Sequence, residues 1–277
     1  MEQLPDWASD VLPAWGLAAG GERAVVPAPL PAPVTPEWAY GGAAGVGVRV
    51  CILDSGIEAG HPLVGAVERS VTVAEDGGAS VIVEDVDGDV SGHGTACAGI
   101  VRSLAPDVSL ASARVLGADV NGRFAALRVG IAWAIDEGYD ILNLSLSVRS
   151  REFALDLCEL ADRAAFRGTL LVCSAHNIPI ESYPWRFSSV VSVGSHDEDH
   201  PRRLYYNPEP PVEFYARGVN VPVAWPGGGT IRATGNSFAA PHITGLLALI
   251  RSKHPQLTPF ELKTVLYRVA ANVGAAT

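Results

Sequence analysis

The sequence predicts an α/β protein in which a mostly parallel, twisted sheet carries helices on both faces. Short apolar runs of strand length alternate with longer segments whose apolar residues recur at helical spacing, and repeated βα units of this kind favour a parallel sheet. The chain has 277 residues, of which 48% are hydrophobic and 18% are charged, so it can bury a large core.

The strands are predicted from buried apolar runs. The first run contains Val48, Val50 and Ile52 and ends at Asp54. The predicted strands span residues 46–53, 108–116, 141–146, 170–174 and 190–194.

The helices are predicted from helical periodicity and from end signals. One segment has Phe124 and Ile131 on the same helical face and stops at Gly138. Another begins with a capping box made by Thr258 and Glu261. The predicted helices span residues 93–104, 121–137, 153–166 and 237–253, and the last begins at residue 259.

The first 35 residues differ from the rest of the chain. Prolines recur between Pro27 and Pro36 and favour extended backbone, and a short helix at 4–17 would expose Trp7 and Trp15. We predict a Pro-rich N-terminal extension at 1–35 and a folded domain at 36–277.

The net charge and the lack of targeting signals limit the kinds of binding partner that we expect. The net charge of −10 argues against nucleic acid as a partner. The N-terminus has neither the basic nor the apolar region of a secretory signal, and no run approaches the roughly 18 apolar residues of a membrane span. We therefore expect a cytoplasmic protein without a membrane partner, unless a signal has been removed from the sequence.

Three residues have the chemistry for acyl transfer. Asp54 follows a strand, while His93 and Ser237 each stand at a helix start, so all three are expected at the carboxyl edge of the sheet. A hydroxyl nucleophile, a base with a pKa near 7 and a carboxylate that orients the base are what this reaction needs. Each residue alone has a common structural explanation as a cap, a turn residue or a core histidine, but the combination favours catalysis.

The motifs around these residues resemble those of the subtilisin-like serine proteases. They are Asp-Ser-Gly at 54–56, Gly-His-Gly-Thr at 92–95 and Gly-Asn-Ser-Phe-Ala-Ala-Pro at 235–241, in that order along the chain. The resemblance implies that Ser237 attacks the peptide carbonyl, His93 transfers the proton and Asp54 orients the imidazole. It also implies that the side chain of Asn177 and the backbone N–H of Ser237 form an oxyanion hole, although Asn177 also fits an ordinary turn.

Two departures from the family pattern concern the substrate-binding residues. The resemblance places Ser145, Leu146, Ser147, Ala175 and His176 along the primary specificity pocket. The family usually has glycine where Ser147 and His176 stand, so we expect a narrowed or reshaped pocket. The side chains of Asn236 and Phe238 are expected to have no particular role in the chemistry.

No metal or other cofactor is expected. The calcium-binding loop of many secreted relatives has no room between the helix that starts at His93 and the next strand. The acidic segment 84–89 is read as a solvated turn, and Cys97, one helical turn after His93, as a buried packing thiol.

The resemblance predicts a serine endopeptidase that acts on a peptide or protein substrate. A dedicated peptide-processing role, such as leader removal or maturation, fits a chain without a secretory signal. The sequence does not decide between this role and general protein turnover. The alternative is a binding module that keeps the protease fold and does not cleave. The N-terminal extension either lies across the domain's own cleft as an inhibitor or acts as a stabilising strap.

Overall fold

The computed structural model describes residues 30, 31 and 33–273. The chain divides into two units, Met1–Pro33 and Val34–Thr277, and the architecture below is that of the second unit. The helix predicted at 4–17 and most of the Pro-rich segment lie outside the described residues.

A nine-stranded sheet forms the centre of the second unit, in the order β3-β2-β4-β1-β5-β6-β7-β9-β8. Its inner pairs are all parallel, while the outermost strands β3 and β8 pair antiparallel with their neighbours. A separate antiparallel pair consists of β10 and β11. The strands are β1 (Arg49–Asp54), β2 (Arg69–Asp76), β3 (Ala79–Glu84), β4 (Ser109–Arg114), β5 (Ile141–Leu144), β6 (Leu170–Ser174), β7 (Val191–His196), β8 (Leu204–Tyr206), β9 (Phe214–Arg217), β10 (Val221–Trp225) and β11 (Gly229–Ala233).

Helices cover both faces of the sheet. The helices are α1 (Pro36–Tyr40), α2 (His93–Leu104), α3 (Phe124–Asp136), α4 (Ala154–Phe166), α5 (Asn236–Lys253) and α6 (Pro259–Arg268). Helices α2 and α5 pack against each other on one face, and α3 and α4 pack against each other on the opposite face. The predicted α/β class, with a mostly parallel sheet and helices on both faces, is confirmed.

The predicted elements that are buried match the structure closely. Strands β1 and β6 are buried along almost their whole length, as expected for a parallel sheet covered on both sides. The hairpin β2–β3 was not predicted because its residues are mostly half-exposed or exposed and its only apolar run, Val81-Ile82-Val83, is short. Its turn signal, Gly77–Gly78 with positive φ at both residues, is present in the sequence.

The carboxyl ends of the central strands meet at one edge of the sheet. Asp54 ends β1, Ser145 follows β5 and Ala175 follows β6, and these three strands are neighbours. The N-termini of α2 and α5 reach the same edge. No helix among the described residues is long and apolar enough to cross a membrane.

Candidate active site

Close backbone packing fixes the position of His93. His93 is the first residue of α2, and Gly92 before it has φ 98°, the left-handed region. A Cβ on Gly94 would lie 2.0 Å from the carbonyl oxygen of Gly56, so the helix start can approach the end of β1 only without a side chain there. The two glycines that flank His93 therefore hold the imidazole next to Asp54.

Asp54 and His93 form a direct pair. Nδ1 of His93 lies 2.8 Å from Oδ1 and 3.0 Å from Oδ2 of Asp54, whose side chain is fully buried. The backbone N–H of Ser55 donates to Oδ1 of Asp54 at 2.8 Å. Because a carboxylate only accepts hydrogen bonds, Nδ1 carries a proton and Nε2 is left for acid–base chemistry.

The surroundings of His93 act on its pKa in opposite directions. Burial lowers the pKa of the imidazole, whereas the charge and hydrogen bond of Asp54, with a further contribution from Asp89, raise it more. The net result is a raised pKa, so His93 gains its proton at a higher pH than an exposed histidine does.

Asp89 joins the two segments that carry the pair. Its Oδ1 accepts from the Ser55 hydroxyl at 2.8 Å and from the N–H of Gly92 at 2.8 Å, and its Oδ2 accepts from the N–H of Thr95 at 2.8 Å. Burial alone would raise the pKa of Asp89, but hydrogen bonds from Thr95, Gly92 and Ser91 lower it more. The N-cap residue Gly92 has no side-chain cap of its own, so Asp89 provides the negative charge at the start of α2.

The reading of segment 84–89 as a solvated turn therefore holds only in part. Asp85 is buried and accepts two hydrogen bonds from Arg114, at 3.0 and 2.8 Å, and Asp87 accepts another at 2.8 Å. Asp85 and Asp89 bind an arginine and a helix start, while Glu84, Val86 and Asp87 are exposed to water. A sequence signal existed, because Asp89 lies three residues before Gly92, where a side chain can reach a helix start.

We expect Asp89→Asn to move the acid limb of the pH–rate profile to lower pH. The substitution removes a negative charge that raises the pKa of His93. It also weakens a helix cap, with a cost of about 1 kcal/mol and a fall in melting temperature of roughly 2–4 °C. The measurements are kcat/KM from pH 5 to 9 and a thermal melt.

Asp76→Asn, on the exposed hairpin, is the matched control and should change neither the acid limb nor the melting temperature. An unmoved acid limb in Asp89→Asn would contradict the charge effect.

Ser237 is the second residue of α5 and faces the same cavity as His93. The ring of Phe238 packs beside that of His93, with centroids 5.4 Å apart, so this side chain does contribute to the site. Within the described residues no hydrogen bond joins the His93 ring to the Ser237 hydroxyl. Such bonds are often long in unliganded enzymes and tighten when substrate binds.

Asn177 is oriented by the start of α5. The backbone N–H of Asn236 donates to Oδ1 of Asn177 at 2.8 Å, which leaves Nδ2 to face the cleft. A Cβ on Gly235 would lie 3.1 Å from Oγ of Ser237 and 3.5 Å from Nδ2 of Asn177, so both groups border the same small space. This placement suits an oxyanion donor.

The side chain of Asn236 has a structural role that the sequence did not reveal. Its Oδ1 accepts from the hydroxyl of Ser195 at 2.8 Å, and its Nδ2 donates to the carbonyls of Ala175 and His176 at 3.2 and 3.3 Å. Asn236 thus ties the start of α5 to β7 and to the segment before Asn177. These contacts are structural, and the expectation that the Asn236 side chain has no particular role in the chemistry stays a prediction.

The predicted substrate-binding residues surround one cavity. Its volume is about 580 Å³. Every predicted site residue except the buried Asp54 lines it, namely His93, Ser145, Leu146, Ser147, Ala175, His176, Asn177 and Ser237.

Side chains stand where the resembling family usually has glycine. Ser147 and His176 both line the cavity, and Nδ1 of His176 accepts from the N–H of Ile178 at 3.2 Å. Backbone hydrogen bonds of 2.8 and 2.9 Å join Val148 to Tyr183 and bring two segments of the wall together. The cavity wall therefore combines these polar side chains with apolar ones such as those of Leu116, Phe124 and Leu127.

Three side chains that could bind a metal lie close together at the site, and two of them are the paired Asp54 and His93. Atoms of Asp54, His93 and Cys97 lie within 4.8 Å of one another. The direct bond between Asp54 and His93 already occupies two members of this group. A mechanism without metal remains an expectation.

Comparisons with known proteins agree with this geometry. Residues 45–277 match the model of the Subtilase family. Subtilisin DY of Bacillus licheniformis is 33% identical over 246 residues, which cover 83% of this chain and 86% of that protein. Subtilisin BL of Lederbergia lenta is 31% identical, with 84% of this chain and 87% of that protein covered. The crystal structure of a cold adapted subtilisin-like serine proteinase superposes with a TM-score of 0.67 at 25% identity, covering 82% of this chain and 83% of that one.

Proposed function

The chain belongs to the subtilase family and is a serine endopeptidase, and we propose that it acts as a cytoplasmic processing protease with a restricted choice of peptide bonds. The main support for catalysis is the pair of contacts between His93 and Asp54, at 2.8 and 3.0 Å, beside a cavity that Ser237 also lines. The walls of that cavity support a narrow substrate preference.

The proposed mechanism gives each residue one task. Ser237 attacks the scissile carbonyl while Nε2 of His93 takes its proton, which gives a tetrahedral intermediate. The intermediate becomes the acyl-enzyme when the C–N bond breaks and His93 protonates the leaving amine. A water molecule that gives its proton to His93 then attacks the acyl-enzyme, and the acid product leaves as His93 returns the proton to Ser237. Asp54 holds the imidazole in the correct tautomer. Nδ2 of Asn177 and the N–H of Ser237 stabilise the negative oxygen of the tetrahedral intermediate.

A processing role is supported by the shape of the specificity cavity. Ser147 and His176 place side chains in its walls, and the bridge between Val148 and Tyr183 limits how far the walls can separate. Polar side chains in a cavity wall discriminate among substrate side chains more strongly than apolar ones do, because a mismatched substrate leaves these polar groups unpaired.

A peptide-library digest tests this role. The parent should cleave few sequences, with one narrow side-chain preference immediately before the cleaved bond. His176→Gly combined with Ser147→Gly should broaden that preference and admit larger side chains, because both substitutions remove wall atoms. Broad cleavage by the parent, unchanged in the double variant, would contradict a processing role and favour general turnover.

The alternative is a peptide-binding module that keeps the protease fold and does not cleave, and the family comparisons favour the endopeptidase over it. The side chains of His176 and Ser147 in the cavity wall are compatible with either role. The two candidates differ in covalent reactivity, since a binder has no activated serine and an endopeptidase does.

A further inference from the structure

A proline four residues after Ser237 removes a hydrogen bond from the first turn of α5. In a helix the carbonyl of Ser237 would accept from the N–H of residue 241, but that residue is Pro241, which has none. Pro241 is buried and Ser237 is half-buried, so solvent has limited access to the place of the missing donor. A carbonyl left without a partner away from water is costly, and this one belongs to the proposed nucleophile.

Ser145 provides the replacement. Its hydroxyl donates to the carbonyl oxygen of Ser237 at 2.7 Å, shorter than most backbone hydrogen bonds. The thiol of Cys97 approaches the same carbonyl, with its Sγ 3.6 Å away, and lies 3.3 Å from Oγ of Ser145. Burial, and after it the nearby Asp54 carboxylate, raises the pKa of the Cys97 thiol, which therefore keeps its proton and is a weak donor.

Two further buried side chains orient Ser145. Nδ2 of Asn143 donates to Oγ of Ser145 at 3.1 Å, so the hydroxyl proton of Ser145 is free to point at Ser237. Oδ1 of Asn143 accepts from the hydroxyl of Thr244 at 2.9 Å, which fixes the direction of the amide. Thr244 lies two turns after Ser237 on α5, so the chain of bonds starts and ends on the same helix.

We propose that Ser145, oriented by Asn143 and Thr244, is a positioning residue for the nucleophile that substitutes for the helical hydrogen bond removed by Pro241. The bond fixes the peptide plane after Ser237 and thereby the direction of its hydroxyl and of its N–H. Ser145 acts through the backbone of Ser237 and does not touch the reacting atoms. The inference rests on the proposed role of Ser237 as nucleophile.

The first test is Ser145→Ala, compared with Ser112→Ala. We expect Ser145→Ala to lower kcat by roughly ten- to a hundredfold, because catalysis is sensitive to small misplacements of reacting groups. KM should stay within about twofold, since the substitution leaves the strand backbone in place, and the acid limb should not move, since the pair of His93 and Asp54 is untouched. Ser112 is an equally buried serine whose hydroxyl has no hydrogen-bond partner among the described residues, so Ser112→Ala should keep the parent kcat.

The second test is rescue by a backbone donor. Pro241→Ala supplies the missing N–H, so in the Ser145→Ala background it should restore most of kcat, although in the parent background it should not raise kcat. The opposite result is a double variant whose kcat is lowered by the product of the factors found in the two single variants. Ser145 and Pro241 would then act independently, without sharing the carbonyl of Ser237, and the proposal would be overturned. If Ser145→Ala does not fold, the proposal predicts that adding Pro241→Ala restores a melting transition. A double variant that also fails to fold would overturn the proposal.

Fluorophosphonate titration separates this inference from the proposed function. Labelling at Ser237 together with multiplied losses would reject the positioning role alone. A parent that hydrolyses peptides without labelling at Ser237 would reject the catalytic assignment, and with it the inference.

Discussion

Ser237→Ala is expected to reduce kcat for peptide hydrolysis by about a millionfold, the magnitude found when a triad serine is removed from an enzyme of this kind. Without the hydroxyl no acyl-enzyme forms, and only the oxyanion hole and substrate binding remain to assist direct attack by water. The measurement is kcat with a fluorogenic peptide at enzyme concentrations high enough to detect the residual rate.

The matched control is Ser252→Ala near the end of the same helix. The hydroxyl of Ser252 donates only to the carbonyl of Leu249, so its loss should leave kcat unchanged. Ser237→Ala should also melt within a few degrees of the parent, because the change removes one oxygen at the surface of a cavity. Hydrolysis at the parent rate in folded Ser237→Ala would place the nucleophile elsewhere.

Asp54→Asn has the second largest expected effect, a fall in kcat of about 10⁴-fold. An amide in place of the carboxylate can donate to Nδ1 of His93, which then favours the tautomer with its proton on Nε2. That tautomer cannot accept the proton of Ser237. The geometry of the site is otherwise retained, so KM should change little.

The same variant should shift the pH dependence in a defined direction. Asp54 raises the pKa of His93, and catalysis needs neutral His93, so the acid limb of the parent should lie above the usual value of about 6.5. In Asp54→Asn the residual activity should have its acid limb at lower pH. An acid limb at the same pH in both proteins would mean that another group controls it.

Protonation of His93 has opposite effects on stability and on activity. A raised pKa in the folded state means that protonated His93 stabilises the fold. This contribution is fully present below the unfolded value of about 6.5 and is lost as the pH rises through the folded pKa of His93. Parent and Asp54→Asn should therefore differ most in melting temperature at acidic pH and least above the folded pKa.

The site residues that stand at element ends could be placed from the sequence. Asp54 closes a buried strand and His93 opens a helix, and in parallel sheets these ends share one edge, so their proximity follows from local patterns. The sheet core could be predicted for the same reason, because its buried strands are continuous apolar runs. Strand β2 was missed since it is mostly half-exposed and mixes polar with apolar residues, and β10 since Pro222 interrupts its apolar run.

The supporting residues could not be placed in the same way, because their partners are distant in the chain. Asp89 bonds both to Ser55, 34 residues before it, and to the start of α2, and no local pattern indicates the first contact. Ser145 was assigned to substrate binding, whereas its hydroxyl bonds to a carbonyl 92 residues away. For the contact of Ser145, Pro241 was the available signal, since a proline four residues after a helical serine leaves a carbonyl that needs another donor.

Reaction with a fluorophosphonate, followed by intact-mass measurement and peptide mapping, tests the catalytic assignment most directly. We expect one adduct per chain, on Ser237 of the parent protein. Adduct formation should be strongly slowed in His93→Ala, because only an activated serine in a working oxyanion hole reacts with this reagent. Active parent protein that carries no adduct, or carries it on another residue, would contradict the assignment of Asp54, His93 and Ser237 as the catalytic triad.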